Sequence, residues 1–396
     1  MKYWFGYLTA AILGAITWVL MEFGQRFSTL VDMVYPYVIR TMQGILAEWT
    51  AAVDFPVWQL LAVALGAVIL ASLVLMIILK WNPIQWLGWV LAVFSGLYML
   101  HMLLWGLNYY AGDLAEDMRL EVATYNLEEL TEATAYYRDK ANTLALKVNR
   151  DEKGNVRFDE FDALAQKAGE GFKKLTYEHH YPIFAGSTVP VKELGWADMY
   201  TSMGITGVTF GMTGEAAVNP QIPDVTLPFT MAHEMAHRMC IANERDANFA
   251  GFLACSVNPD VEYQYSAYFM AYRYCYNALY EQGSADATTT AARIGTEVND
   301  NLKHDLEVYD RFFKKDKTST YSDSFTVTVK RLPVTGISVK AAPKSEYMEN
   351  QPLDLTELII VCRLSEGEDR IYSYSNIEGN PDFIIEGCHG EKHGTS

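Results

Sequence analysis

His233-Glu234-Met235-Ala236-His237 reads HExxH, and these residue types at this spacing suit metal chemistry. On a helix, residues four apart share a face, so His233 and His237 can each offer a ring nitrogen to one zinc ion. Glu234 beside them is then the catalytic base that takes a proton from a zinc-bound water. With 8 His in 396 residues, composition alone gives only ~0.01 chance copies of the pattern. The bland alternative is a pair of histidines on an ordinary surface helix. It fits poorly, because Ala232, Met235, Ala236 and Met239 make the helix mostly buried. A buried helix does not carry two His and a Glu without partners.

A catalytic zinc takes three protein ligands and a water, so a third ligand lies outside the pentapeptide. Glu244 is the candidate. Glu244-Arg245-Asp246-Ala247-Asn248 resembles the ExxA[DN] glutamate helix of membrane metallopeptidases of the HtpX type. That resemblance implies that Glu244 ligates zinc and that Asn248 steadies the site by orienting a ligand histidine. Only six residues separate His237 from Glu244, shorter than in the familiar gluzincins and close to the compact metzincin spacing. Asp246 therefore stands as the alternative third ligand, and helix capping is the bland role for Glu244. An oxyanion donor is also needed. Tyr263, Tyr265, Tyr268 and Tyr272 supply either that donor or simply a core stripe.

Several elements must position these residues. Pro228 suits the first turn of the motif helix. Before it, Gly204-Ile-Thr-Gly-Val-Thr-Phe-Gly and Ala216-Ala-Val-Asn-Pro read as a hairpin. Its Gly207–Phe210 strand is expected to take an extended peptide by edge pairing. Asn126 with Glu129 starts a helix running to about Val148. Phe158, Phe161, Leu164, Ala168, Phe172 and Leu175 mark a second helix. Asp151-Glu-Lys-Gly-Asn between them lacks the alternating ligands of a calcium loop and reads as a turn. Beyond the site, a Tyr-rich helix is expected over 259–281, and Ile294, Val298, Leu302, Leu306 and Tyr309 share the face of another. His179-His180 reads as a solvated pair.

Residues 4–21, 56–79 and 81–112 contain no charged side chain, in runs of 18, 24 and 32. About 20 apolar residues cross a bilayer as a helix, so all three read as spans. Trp4, Trp18, Trp58, Trp81, Trp86 and Trp105 near their ends read as interfacial aromatics, and His101 as packed or interfacial. Met21-Glu22-Phe23 is a poor cleavage site, so the first span reads as a retained anchor. Val38, Met42, Ile45, Leu46 and Trp49 in the loop between the first two spans recur at helical spacing. They suit a helix in the interface or one packed beneath the soluble domain. The net charge of −17 falls wholly in 113–396, with 27 basic against 44 acidic residues there. Such a domain is a poor partner for nucleic acid. Lys2 and Lys80 on one side of the bilayer put the domain outside the cytoplasm by the positive-inside rule.

From Thr318 the helix signal stops. Phe325-Thr-Val-Thr-Val and Gly336-Ile-Ser-Val alternate with period two, as strands of an all-β module joined by a linker over 314–320. The five cysteines form no CxxC pair. Cys240, Cys255 and Cys275 read as small core residues, and Cys362 and Cys388 as a candidate disulfide outside the cell.

Trp105-Gly-Leu-Asn108-Tyr, Gly204-Ile-Thr-Gly207, Thr213-Gly-Glu215-Ala-Ala-Val218-Asn, Leu227-Pro-Phe-Thr and His233–Phe249 together resemble a bacterial domain-of-unknown-function family. Its members are three-span membrane proteins with an extracytoplasmic HExxH domain. The resemblance covers roughly residues 1–310 and implies a zincin fold. Cys240 stands where such sequences typically carry Gly. Val334-Thr-Gly-Ile337, Pro343, Tyr347 and Leu353-Asp-Leu-Thr-Glu-Leu358 resemble a bacterial Ig-like domain of the third group.

The expected architecture has three parts. An α-helical membrane anchor occupies 1–112, with spans at about 4–22, 56–79 and 83–107. An α+β zincin-like metallopeptidase domain occupies 113–316, and an all-β Ig-like module 317–396. The expected function is zinc-dependent hydrolysis of extracytoplasmic peptides or proteins from the cytoplasmic membrane. The bilayer, the substrate and a cell-surface partner of the Ig-like module are the expected partners. The main rival is a non-catalytic zinc-binding sensor or adaptor. An intramembrane protease is disfavoured by Glu244, Arg245 and Asp246 beside the motif.

Overall fold

The computed structural model describes residues 4–120, 122 and 124–314, together with strands at 334–341, 359–364 and 370–373. The chain divides into two compact units, Met1–Val327 and Thr328–Ser396.

Three helices of the first unit are long and apolar enough to cross a membrane: α1 (Phe5–Arg26), α3 (Val57–Ile78) and α4 (Pro83–Leu104), 22 residues each. At a 1.5 Å rise per residue each spans about 33 Å, close to the hydrocarbon thickness. α1 and α4 meet at small residues. A Cβ on Gly6 would lie 2.5 Å from the Gly88 backbone, so only glycine allows this approach. The third apolar run does not stay helical to its end. α4 stops at Leu104, and a 3-10 turn over Gly106–Tyr110 carries the chain toward the domain.

The loop after α1 is a helix, α2 (Ser28–Thr50), and its polarity is inverted relative to a soluble helix. Val38, Ile45 and Trp49 are exposed, whereas Arg40 and Gln43 are buried. The buried face packs beneath the domain and serves carbonyls that helix ends and turns leave without partners. Gln43 Nε2 donates to Leu104 O at 3.0 Å and Gly211 O at 2.7 Å, and Arg40 Nε donates to Met239 O at 3.0 Å. Of the two alternatives expected for this segment, packing beneath the domain is the one the buried face makes, while the apolar residues of the other face stay exposed.

The remainder is helical around a small mixed sheet. α5 (Leu114–Asp117) is a single turn. α6 (Leu127–Ala145) starts at the expected capping box of Asn126 and Glu129, and α7 (Phe161–Tyr177) buries the expected apolar face. β1 (Lys192–Glu193), a short α8 (Ala197–Ser202), β2 (Gly207–Phe210) and β3 (Glu215–Val218) follow. β3 lies between the other two, parallel to β1 and antiparallel to β2. Then come α9 (Leu227–Arg238), α10 (Glu244–Val257), α11 (Val261–Glu281), α12 (Ala285–Thr296) and α13 (Asp300–Lys314). Phe172, Met231, Met235, Tyr263, Tyr265 and Phe269 form the centre of one core shared by α7, α9 and α11.

The single helix expected through Ile294 and Tyr309 is two. Asn299 breaks it: its Oδ1 caps Leu302 N at 2.9 Å, while its own N–H and Nδ2 bond Asn142 at 2.8 Å each. Asp151 makes the expected turn, accepting from the N–H groups of Lys153 and Asn155 at 2.8 and 2.9 Å. His179 and His180 are exposed, as expected.

In the second unit β4 (Val334–Ala341), β5 (Ile359–Leu364) and β6 (Arg370–Ser373) form an antiparallel sheet in that order. Lys314, expected to open the linker over 314–320, instead ends α13; the rest of that linker, the strand expected at Phe325, Pro343, Tyr347, the 353–358 motif and Cys388 lie outside the described residues.

Candidate metal centre

Pro228 sits in the first turn of α9, where its missing N–H costs nothing, and Met231, Ala232, Met235 and Ala236 are fully buried along the helix. This leaves His233 and His237 one turn apart on a neighbouring face. α10 packs closely over them, since a Cβ on Gly251 would lie 3.2 Å from His233 N. α9 ends just after His237. Cys240 takes a left-handed φ of 73°, its N–H bonds His237 O at 2.8 Å, and Ile241 N bonds Ala236 O at 3.2 Å. This is a Schellman-type reversal whose left-handed position glycine would occupy without strain. Asn243 then caps α10 by accepting from Arg245 N at 2.9 Å. The chain has turned back on itself, and Glu244 opens α10 directly above the two histidines. That reversal is why so short a spacing suffices.

The donor atoms converge. His233 Nε2 lies 3.0 Å from His237 Nε2, and the Glu244 carboxylate oxygens lie 3.3 Å and 3.5 Å from them. Ligands on tetrahedral zinc with bonds of ~2.0–2.1 Å sit ~3.3–3.4 Å apart, so the triad has the dimensions of one tetrahedral face. His237 Nδ1 meets Ile241 O at 2.8 Å, which assigns the proton to Nδ1 and leaves the Nε2 lone pair facing the cluster. Two imidazole nitrogens and a carboxylate brought to one spot form a donor set that a cation could share. With protons on Nε2 in place of a metal ion, hydrogen bonds from His233 and His237 hold the Glu244 carboxyl well below its ordinary range. The Glu244 side chain is 76% exposed, which leaves the fourth corner open. His233, His237 and Glu244 can therefore hold a metal ion.

Glu234 is only 4% exposed and lies under β2. Thr209 Oγ1 donates to Glu234 Oε2 at 2.7 Å, and a Cβ on Gly207 would fall 2.4 Å from Oε1. Gly207 is bare so that the carboxylate can fit beneath the strand. Neither residue was singled out for this role by sequence; a glycine opening an alternating strand next to the motif was the only signal.

Residues 32–327, about three quarters of the chain, match the model of a family described as protein of unknown function, DUF3810. The chain belongs to this family. The match starts later than the resemblance read from the sequence, which covered roughly residues 1–310, and runs further, to residue 327. No curated protein and no solved structure matches the chain.

Within the DUF3810 region, the other expected site residues fall as follows. Asp246 turns away from the triad: Oδ2 accepts from Leu114 N at 3.0 Å and Oδ1 from Arg245 Nε at 3.0 Å. The helical turn from Glu244 to Asp246 points the two carboxylates to different sides. Asn248 faces the Tyr274 hydroxyl at 3.5 Å rather than a ligand histidine. Tyr263, Tyr265 and Tyr272 are core: Tyr263 donates to Leu164 O at 2.7 Å, and Tyr265 to Asp305. Trp105, expected as an interfacial anchor, is instead buried against the site. Its ring stands edge-on to His237 at 6.2 Å, and it packs on Gly211, where a Cβ would lie 2.4 Å away. Tyr109, which sequence reasoning missed, is exposed beside the triad. Partial burial and then Glu244 raise its phenol pKa.

Proposed function

We propose that this chain is a membrane-anchored zinc metallopeptidase that cleaves peptides or proteins outside the cytoplasmic membrane, within a zincin-like domain followed by an Ig-like surface-binding module. The observation that carries the reading is the convergence of His233, His237 and Glu244 with Glu234 alongside. Bound there, zinc would act as a Lewis acid and lower the pKa of a coordinated water toward ~7. Glu234 is the group that takes the proton from the attacking water and returns it to the leaving amine. Thr209 fixes the orientation of the Glu234 carboxylate. β2 has no strand partner on its outer edge among the described residues, which suits edge pairing with an extended substrate. Tyr109 supplies a phenol near the open corner.

Metal analysis and peptide hydrolysis with the purified full-length protein test this reading. Wild type should carry one zinc and cleave. Glu234→Gln should keep the zinc and lose on the order of 10²–10⁴-fold in rate. A zinc-free wild type sinks the proposal. The rival reading, a zinc-binding sensor or adaptor without turnover, draws on the burial of Glu234 and its bond to Thr209. It expects bound zinc, no hydrolysis, and a Glu234→Gln protein equal to wild type.

A further inference from the structure

Beside Glu244 a cavity of about 370 Å³ opens between α2, the 3-10 turn over Gly106–Tyr110 and the start of α10. Its wall carries Asp32, Asp113, Asp117, Glu244 and Asp246. The nearby cations do not balance them. Arg245 holds Asp113 at 3.1 Å and Asp246 at 3.0 Å, while Arg40, on the side of Asp117, donates to the carbonyls of Met239 and Pro182. Burial first, then Asp32, Glu116 and Asp246, raise the Asp117 carboxyl pKa against the opposing pull of Arg40. The wall is therefore short of positive charge.

A second observation points to a ligand rather than to solvated acids. Asn108 lines the same cavity, is only 4% exposed, and neither its Nδ2 nor its Oδ1 has a hydrogen-bond partner. Burial raises the Cys240 thiol pKa, while Arg40 and then the Asn108 side chain act to lower it, which places Asn108 Nδ2 against the sulfur. Sulfur is a weak acceptor, and Oδ1 has no such contact. Leaving the buried Oδ1 unpaired costs free energy, and a carboxamide's C=O and N–H groups complement a peptide unit. We propose that this cavity seats a cationic group of the substrate, a lysine or arginine side chain or a free amino terminus. Asp32 and Asp117 face the charge, and Asn108 bonds the adjoining peptide unit. The inference rests on the peptidase reading, because it assigns the cavity to a substrate of the adjacent triad.

Binding, measured apart from cleavage, tests it. Zinc-loaded full-length protein in nanodiscs is titrated with heptapeptides labelled with fluorescein at the carboxyl end, followed by anisotropy. Each peptide carries one lysine, free or acetylated, with a free or acetylated amino terminus, and the lysine is moved along the sequence. At one position the cationic form should bind at least ~10-fold more tightly, the factor that about 1.4 kcal/mol provides. The preference should shrink as salt rises, and Asp117→Asn should cut the ratio by about threefold or more. The acetylated termini show whether the side chain or the terminus is the occupant. Equal binding of charged and acetylated forms, or no binding of either, overturns the inference. Cleavage without charge preference overturns this inference alone, whereas charge-selective binding without cleavage overturns the peptidase reading alone.

Discussion

Glu244 and Asp246 are two residues apart on α10, yet only one of them faces the histidines. Glu244→Ala should lower zinc affinity by more than the ~10–100-fold that removal of an outer hydrogen-bonding partner costs. Asp246→Ala should leave the zinc stoichiometry unchanged and destabilise the fold by about 1–3 kcal/mol, because the buried Leu114 N–H loses its acceptor. Metal titration with a competing chelator and thermal melts separate the two outcomes. Glu262 makes a pH prediction. Burial first, then Asp159 and Asp260, raise its carboxyl from 4.5 to about 7, against the opposing effects of the Asp159 N–H and Lys167. A raised folded-state value means that the bound proton contributes stability fully below pH 4.5, and that this is lost as pH rises through about 7. The melting temperature of Glu262→Gln should therefore gain on wild type between pH 5 and pH 8. Parallel melting curves across that range would refute the assignment.

β2 and α9 act together as an element pair. Gly207→Ala would drive a methyl group into the Glu234 carboxylate, whose atoms lie 2.4–2.7 Å from the Cβ position. A displaced base of this kind costs on the order of 10²-fold in rate. Zinc content should stay at the wild-type level, which distinguishes the effect from unfolding. The elements themselves were largely legible in the sequence. The capping box of Asn126 and Glu129, Pro228 in the first turn of α9 and the strand alternation at Gly207 all stand where local chemistry put them. Asn299 was not legible as a helix break, because its cap works only through Asn142 on α6. Trp105 was misread for a similar reason. Its place at the end of an apolar run matched an interfacial anchor, and only the fold reveals Gly211 and His237 beneath it.

At the scale of the molecule, the domain is tied to the apolar helices by buried polar contacts. Glu215 accepts from Val57 N at 2.7 Å and Trp58 N at 3.0 Å, capping the start of α3. Lys192 Nζ joins it at 2.7 Å and also donates to Thr50 O at the end of α2. Gln59 on α3 bonds the Gly195 backbone at 3.0 Å and 3.1 Å. The Lys192–Glu215 pair is almost wholly buried, so Lys192→Met leaves an unpaired carboxylate and should cost about 3–5 kcal/mol. The exposed pair of Lys173 and Glu170 gives the control: Lys173→Met should cost no more than about 1 kcal/mol. Thermal melts in detergent measure both.

By itself, the sequence determined that His233 and His237 share a helix face with Glu234 between them, and it marked the three apolar helices. Each of these is written in residue type at a fixed local spacing, and helix geometry converts spacing into a shared face. It also offered Glu244 with Asp246 as an alternative, because periodicity near a helix start does not say how the chain enters it. Tertiary structure decided between them through the left-handed turn at Cys240 and the packing of Gly251 on α9. The same holds for Thr209, Gly207, Trp105 and Asn108. Their roles depend on partners distant in the chain, which only the packed fold brings within reach.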